Sequence, residues 1–141
     1  MKKLISFSLL LVIILSLASC VGTGGITEDD CVGTWVSDEV GEYDDFYNET
    51  QYWTTTIKLF EYGSGTYEET YSKDCLAGKK GETLNLHPIK WRLENDVLFI
   101  EYGDSVFNLV FSEKDDTKST LKDETYFDGA DYAEFFYKQN K

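Results

Sequence analysis

Proline and histidine each occur once in this 141-residue sequence, as Pro88 and His87, and the only arginine is Arg92. One histidine is thin material for a catalytic triad or a metal centre. His87 stands directly before Pro88, with no serine or cysteine partner at a spacing that carries meaning. The pairs Asp44-Asp45 and Asp115-Asp116 lack the alternating oxygen-ligand spacing of a calcium loop and read as solvated turn residues. We therefore expect no enzymatic activity, no metal and no cofactor. Base is scarce as well: 13 Lys and Arg stand against 26 Asp and Glu, a net charge of −13. Such a surface repels phosphate backbones, which excludes nucleic acid as a partner. Helical periodicity is almost absent, and beyond the first 20 residues no apolar run is long enough to span a bilayer.

The amino terminus is organised differently from the rest. Lys2 and Lys3 precede an uninterrupted apolar run over residues 4–17, followed by the small residues Ala18 and Ser19. This is the order of a secretion signal, and the run is shorter than the roughly 20 residues a spanning helix needs. Leu17-Ala18-Ser19-Cys20 resembles the lipobox of bacterial lipoproteins, in which small residues enter a peptidase groove and the cysteine thiol takes the lipid. The resemblance implies a signal peptide over residues 1–19 and a mature chain that begins at Cys20, carries acyl chains such as palmitate and partners a membrane through them. It implies an outer-membrane location on the periplasmic or the cell-surface face. Residues 20–32 read as lipidated cysteine and flexible tether. Within them Glu28, Asp29 and Asp30 loosely resemble acidic export signals, the plainer reading being a solvated spacer.

From Gly33 to the end at Lys141 the sequence reads as one domain. Short runs rich in β-branched and aromatic residues alternate with glycine, asparagine and aspartate. They predict about eight strands, over residues 33–38, 52–61, 65–72, 84–94, 97–102, 105–112, 119–123 and 133–139. Pro88 is expected to mark a bend or bulge in the fourth. Tyr62-Gly63-Ser64-Gly65, Asn95-Asp96 and Gly103-Asp104 supply tight turns, so consecutive strands should pair antiparallel. One face is oily: Trp53, Ile57 and Leu59; Ile89, Trp91 and Leu93; Leu98 and Ile100; Phe107, Leu109 and Phe111; Phe135 and Tyr137. The other carries Thr54, Thr56, Lys58, Lys90, Arg92 and Glu94, with Glu134 and Lys138. A meander with one buried face most simply closes on itself, an all-β, up-and-down antiparallel barrel without exposed edges.

Gly33-Thr34-Trp35 at the start of the first strand, followed by a meander in which a Trp-containing strand turns through Asn95-Asp96 into the next, resembles the small lipocalin-like lipoproteins of bacteria. The resemblance implies a barrel closed at one end by Gly33 and Trp35. Where such proteins stack an arginine on that tryptophan, the nearest basic residue here is Lys138. It also implies that residues 38–51, rich in acid and carrying Tyr43, Phe46 and Tyr47, form a long loop arching over the open mouth.

Two functions from different classes follow. In one, the barrel holds a small apolar or amphipathic ligand, with Trp53, Trp91, Phe107 and Phe111 lining the mouth and Tyr43, Phe46 and Tyr47 above it. In the other, the barrel is filled and its acidic, aromatic loops contact an envelope protein or glycan. An eight-stranded barrel is wide enough for either. Cys31 and Cys75 are the remaining cysteines, and an exported compartment permits a disulfide between them; two separate thiols are the alternative.

Overall fold

A computed structural model describes residues 25–111, 118–123 and 135–140. The expected leader, Cys20, the Asp115-Asp116 pair and Glu134 lie outside the described residues. Alternation of apolar and polar residues generates strand after strand: β1 (Gly33–Ser37), β2 (Val40–Asp44), β3 (Glu49–Leu59), β4 (Ser64–Tyr71), β5 (Thr83–Glu94), β6 (Val97–Tyr102), β7 (Ser105–Phe111), β8 (Thr120–Asp123) and β9 (Phe135–Lys138). Each pairs antiparallel with its sequence neighbour from β2 through β9. β1 then joins β9 on one side and β3 on the other, which closes an eight-stranded, lipocalin-like up-and-down barrel.

β1 and β2 together make one barrel strand. Both run along the same edge of β3, with Val36 opposite Thr56 and Val40 opposite Trp53. Three residues lie between Val36 and Val40 against two between Trp53 and Thr56, which defines a β-bulge at Ser37–Glu39. The buried Ser37 hydroxyl repairs the interrupted ladder, donating to the Asp38 carbonyl at 2.7 Å and accepting from the Thr55 amide at 2.9 Å. Residues 40–44, expected in a mouth loop, are therefore strand, and only the turn at 45–48 separates them from β3. Three acidic or glycine positions in that stretch, Gly41, Glu42 and Asp44, conceal the alternation that cross-strand pairing enforces.

Hairpin chemistry matches the turns read from the sequence. Asn95 and Asp96 both adopt positive φ between β5 and β6, the requirement of a tight two-residue connection, and Gly103 does the same between β6 and β7. Pro88 causes no bend, since it pairs with Thr66 in regular register. The register shift falls instead near the top of β5, between the Glu69 and Thr70 pairings. β6 pairs with β5 only from Lys90 to Glu94, so the proline sits where β4 is the only neighbouring strand among the described residues.

Trp35, Ile57, Leu59, Trp91, Leu98, Ile100, Leu109, Leu121 and Phe136 fill the lower interior and are almost completely buried. β9 inverts the expected alternation. Phe136 faces inward opposite Leu121 and Ser37, whereas Tyr137 is 41% exposed and donates to Asp38. Three successive aromatics, Phe135 to Tyr137, leave the pattern ambiguous by one residue, and a one-residue slip exchanges the faces of a strand. Lys138, assigned to the watery face, consequently points inward beside Trp35.

Candidate functional site

The two ends of the barrel differ in how their inward side chains meet water. At the lower end a single helical turn, α1 (Glu28–Cys31), plugs the opening. Thr27 caps it: the Asp30 carboxylate accepts from both the amide and the hydroxyl of Thr27. Trp35 donates its indole N–H to the Cys31 carbonyl at 2.8 Å. Lys138 Nζ lies 5.1 Å from the Trp35 ring centroid and donates to the Asp30 carbonyl at 2.7 Å. Lys138, the basic residue nearest the end of the last strand, thus takes the position over Trp35. Gly33 makes the approach workable, since its φ of +142 is a region side chains rarely adopt and a Cβ there would stand 3.0 Å from Lys138 Cε. The Ile26 amide donates to Asp96, which ties the incoming chain to the β5–β6 turn. The expected tether is therefore shorter than residues 20–32, because Ile26, Cys31 and Val32 pack into the domain.

The lower end is electrostatically set as well. Hydrogen bonds from Lys118 and from Thr27 hold the Asp30 carboxyl at about 2. Burial, reinforced by the Asp30 charge, pushes the Cys31 thiol up to about 11. Cys75 lies in the connection after β4, at the opposite end from α1, and both cysteines are free. The eight residues of β4 separate the two ends by about 23 Å at ~3.3 Å per residue, far beyond the ~7 Å a disulfide tolerates. The bridge between Cys31 and Cys75 is accordingly not formed.

Halfway up, the interior changes character. Tyr67 on β4 pairs with Ile57 and His87, so its ring points inward. It meets Tyr102 of β6 at 5.2 Å and Phe107 of β7 at 6.1 Å, both edge-on, and Tyr102 in turn meets His87 at 4.7 Å. β4 and β7 are not neighbours, since β5 and β6 lie between them. The contact therefore crosses the barrel. These rings form a floor that rests on the apolar core below.

Above the floor the inward positions include Val40, Glu42, Gln51, Trp53, Thr55, Glu69, Tyr71, Asn85 and His87. Asn85 and His87 are exposed although they face the interior, and Trp53, Tyr67, Glu69 and Phe107 are half-buried. Inward side chains that remain wet define an open end. Glu69 is held in place there, accepting from the Tyr67 hydroxyl at 2.7 Å on one oxygen and from the Asn85 amide on the other. The rim is built by two connections. Asp44 accepts from the Phe46 and Tyr47 amides and from Gln51, shaping the β2–β3 turn. Residues 72–82 fold back over Tyr71, where Gly78 leaves room for the ring, and the Leu76 amide reaches Glu49.

Of the mouth residues expected from the sequence, Trp53 and Phe107 stand in the upper half. Trp91 does not: it is buried at the lower end, donating to the Phe60 and Ser64 carbonyls at 2.9 Å each. Phe111 is edge-on to Trp35 at 5.9 Å, also below. Tyr43 pairs with Thr50 on the outer face of β2, its hydroxyl on Asn48, whereas Phe46 and Tyr47 sit at the rim, 4.8 Å apart. Tyr67, Glu69, Asn85 and Tyr102 were not singled out by sequence reasoning. Their signal is parity, since they share the inward register of Gly65, Ile89 and Ile100 on their own strands. Neither family models, nor curated proteins, nor solved structures give a match to this chain.

Proposed function

We propose that this protein is a lipid-anchored envelope lipoprotein of the lipocalin-like type that binds a small amphipathic molecule in the open half of its barrel. The observation that carries this reading is the aromatic floor. It leaves a shallow cup with aromatic walls and a few fixed polar groups, rather than a deep apolar cavity, and such a mixture orients a ligand with one oily and one polar end. Trp53 and His87 supply the walls above the floor of Tyr67, Tyr102 and Phe107. Trp91 and Phe111 support the floor from below and do not touch the ligand.

The anchor rests on Leu17-Ala18-Ser19-Cys20 behind its basic and apolar leader. Acylation of Cys20 would fix the closed end near the bilayer, because only residues 21–24 separate the cysteine from the packed Gly25–Ile26 segment, and they span at most ~3.6 Å each. The mouth then faces away from the membrane and draws its ligand from the aqueous side. Mass spectrometry of the native protein should find Cys20 acylated at the amino terminus, and an unmodified Cys20 would end the anchoring proposal.

Binding is tested by titrating small aromatic probes while following tryptophan emission and melting temperature. Trp35 and Trp91 are buried, so a saturable change reports on Trp53. Occupancy should raise the melting temperature by mass action. The competing reading, an envelope interaction module, is favoured by one feature: Phe46 and Leu76 are 86% and 71% exposed at the rim. No emission change and no thermal shift with any probe would leave the module as the function.

A further inference from the structure

Resting on the binding site just proposed, we infer that its ligand is a cation, an organic ammonium group carried on a small apolar body. Charge inside the barrel is one-sided. Among the described strand positions that face inward, the only lysine or arginine is Lys138, and it is engaged at the closed end with Trp35 and Asp30. The upper half presents carboxylates and aromatic faces. Most of those carboxylates already have work to do in the scaffold: Asp44 shapes the β2–β3 turn, and Glu49 takes the Leu76 amide.

Glu69 differs. Its two hydrogen-bond donors among the described residues, the Tyr67 hydroxyl and the Asn85 amide, are neutral, and they fix the carboxylate beside the Tyr67 ring of the aromatic floor without neutralising it. A negative charge held beside a layer of rings gives an ammonium ion two attractions at once, Coulombic from the carboxylate and quadrupolar from the aromatic floor to which Tyr67 belongs. An anion would meet only repulsion at the same position. A neutral isostere would keep the stacking and lose the charge term.

Three probes with one apolar body and different heads separate these cases: 2-phenylethylammonium, 2-phenylethanol and 3-phenylpropionate, titrated calorimetrically into the purified mature protein at physiological salt. The ammonium should bind about tenfold or more tighter than the alcohol, and the carboxylate most weakly of the three. Glu69→Gln, which retains an acceptor for Tyr67, should weaken ammonium binding about tenfold or more and so abolish the preference for ammonium over alcohol. Glu68→Gln makes the same change in net charge one residue away on the outer face, where Glu68 pairs with Thr56 and Leu86, and should leave the preference intact. Equal binding of the three probes, or equal loss of preference in both variants, overturns the cation assignment while the binding site stands. If no probe binds, the site and its cation fall together. Thermal unfolding of each variant checks that the barrel is retained.

Discussion

At the scale of single residues, the closed end shows how one glycine sets the terms for several neighbours. A Cβ at Gly33 would crowd Lys138 Cε at 3.0 Å where that side chain lies over Trp35, and Gly33 also holds a φ that alanine resists. Gly33→Ala should therefore lower stability by about 1–3 kcal/mol, read as a shift in the urea midpoint at unchanged slope. Asp30 contributes differently. Its carboxyl titrates at about 2 in the folded protein against 3.8 ordinarily, so the ionised form is the one that folding favours. The associated stability is fully present above pH 4 and is lost as pH falls through 2. With Asp30 a quarter exposed, it amounts to about 1–2 kcal/mol. Urea titrations at pH 5 and pH 2 should show a larger acid loss in the wild type than in Asp30→Asn, and identical losses would refute the assignment to this residue.

At the scale of elements, the bulge between β1 and β2 lets one strand serve two tasks. Below the bulge it pairs with β3 and β9 and completes the barrel; above it, β2 pairs with β3 alone and raises one side of the mouth. Ser37 holds the two together, and it is buried. Ser37→Ala would strand the Thr55 amide inside the wall without an acceptor, a penalty of about 1–3 kcal/mol. Faster amide exchange at Thr55, with the rest of β3 still protected, is the expected signature. Amide exchange at Thr55 as slow as in the wild type would mean that Ser37 is dispensable.

At the scale of the whole molecule, the two ends have separate jobs, and the cysteines mark them. Cys31 is buried within the plug and its thiol sits at about 11, whereas Cys75 lies half-buried in the connection that forms the rim, its thiol donating to the Gly78 carbonyl. A thiol-specific reagent at pH 8 should label Cys75 in the native protein and reach Cys31 only after unfolding, because the thiolate is the reactive form. Labelling of both at equal rates would show that the plug opens. Loss of both thiols in the unreduced, folded protein would contradict the separation of the ends.

What the sequence by itself determined was the wall of the barrel. Period-two alternation and turn residues are local properties, legible one hairpin at a time, and Asn95-Asp96 or Ile89 to Leu93 need no distant partner to declare themselves. The lower core followed from the same alternation wherever apolar and polar residues take turns. It failed at Phe135 to Tyr137, where three aromatics in a row carry no parity of their own and only pairing with β1 and β8 chose Phe136. Height along the barrel axis was the tertiary structure's decision. Trp53 and Trp91 are equivalent in the sequence, both inward and both aromatic, but register puts one above the floor and the other below it. The candidate site depends on that height, and on rings from β4 and β7 meeting across the interior, a contact between strands that are neighbours neither in sequence nor in the sheet. Closure of the barrel brings them together, and closure is a property of the whole chain.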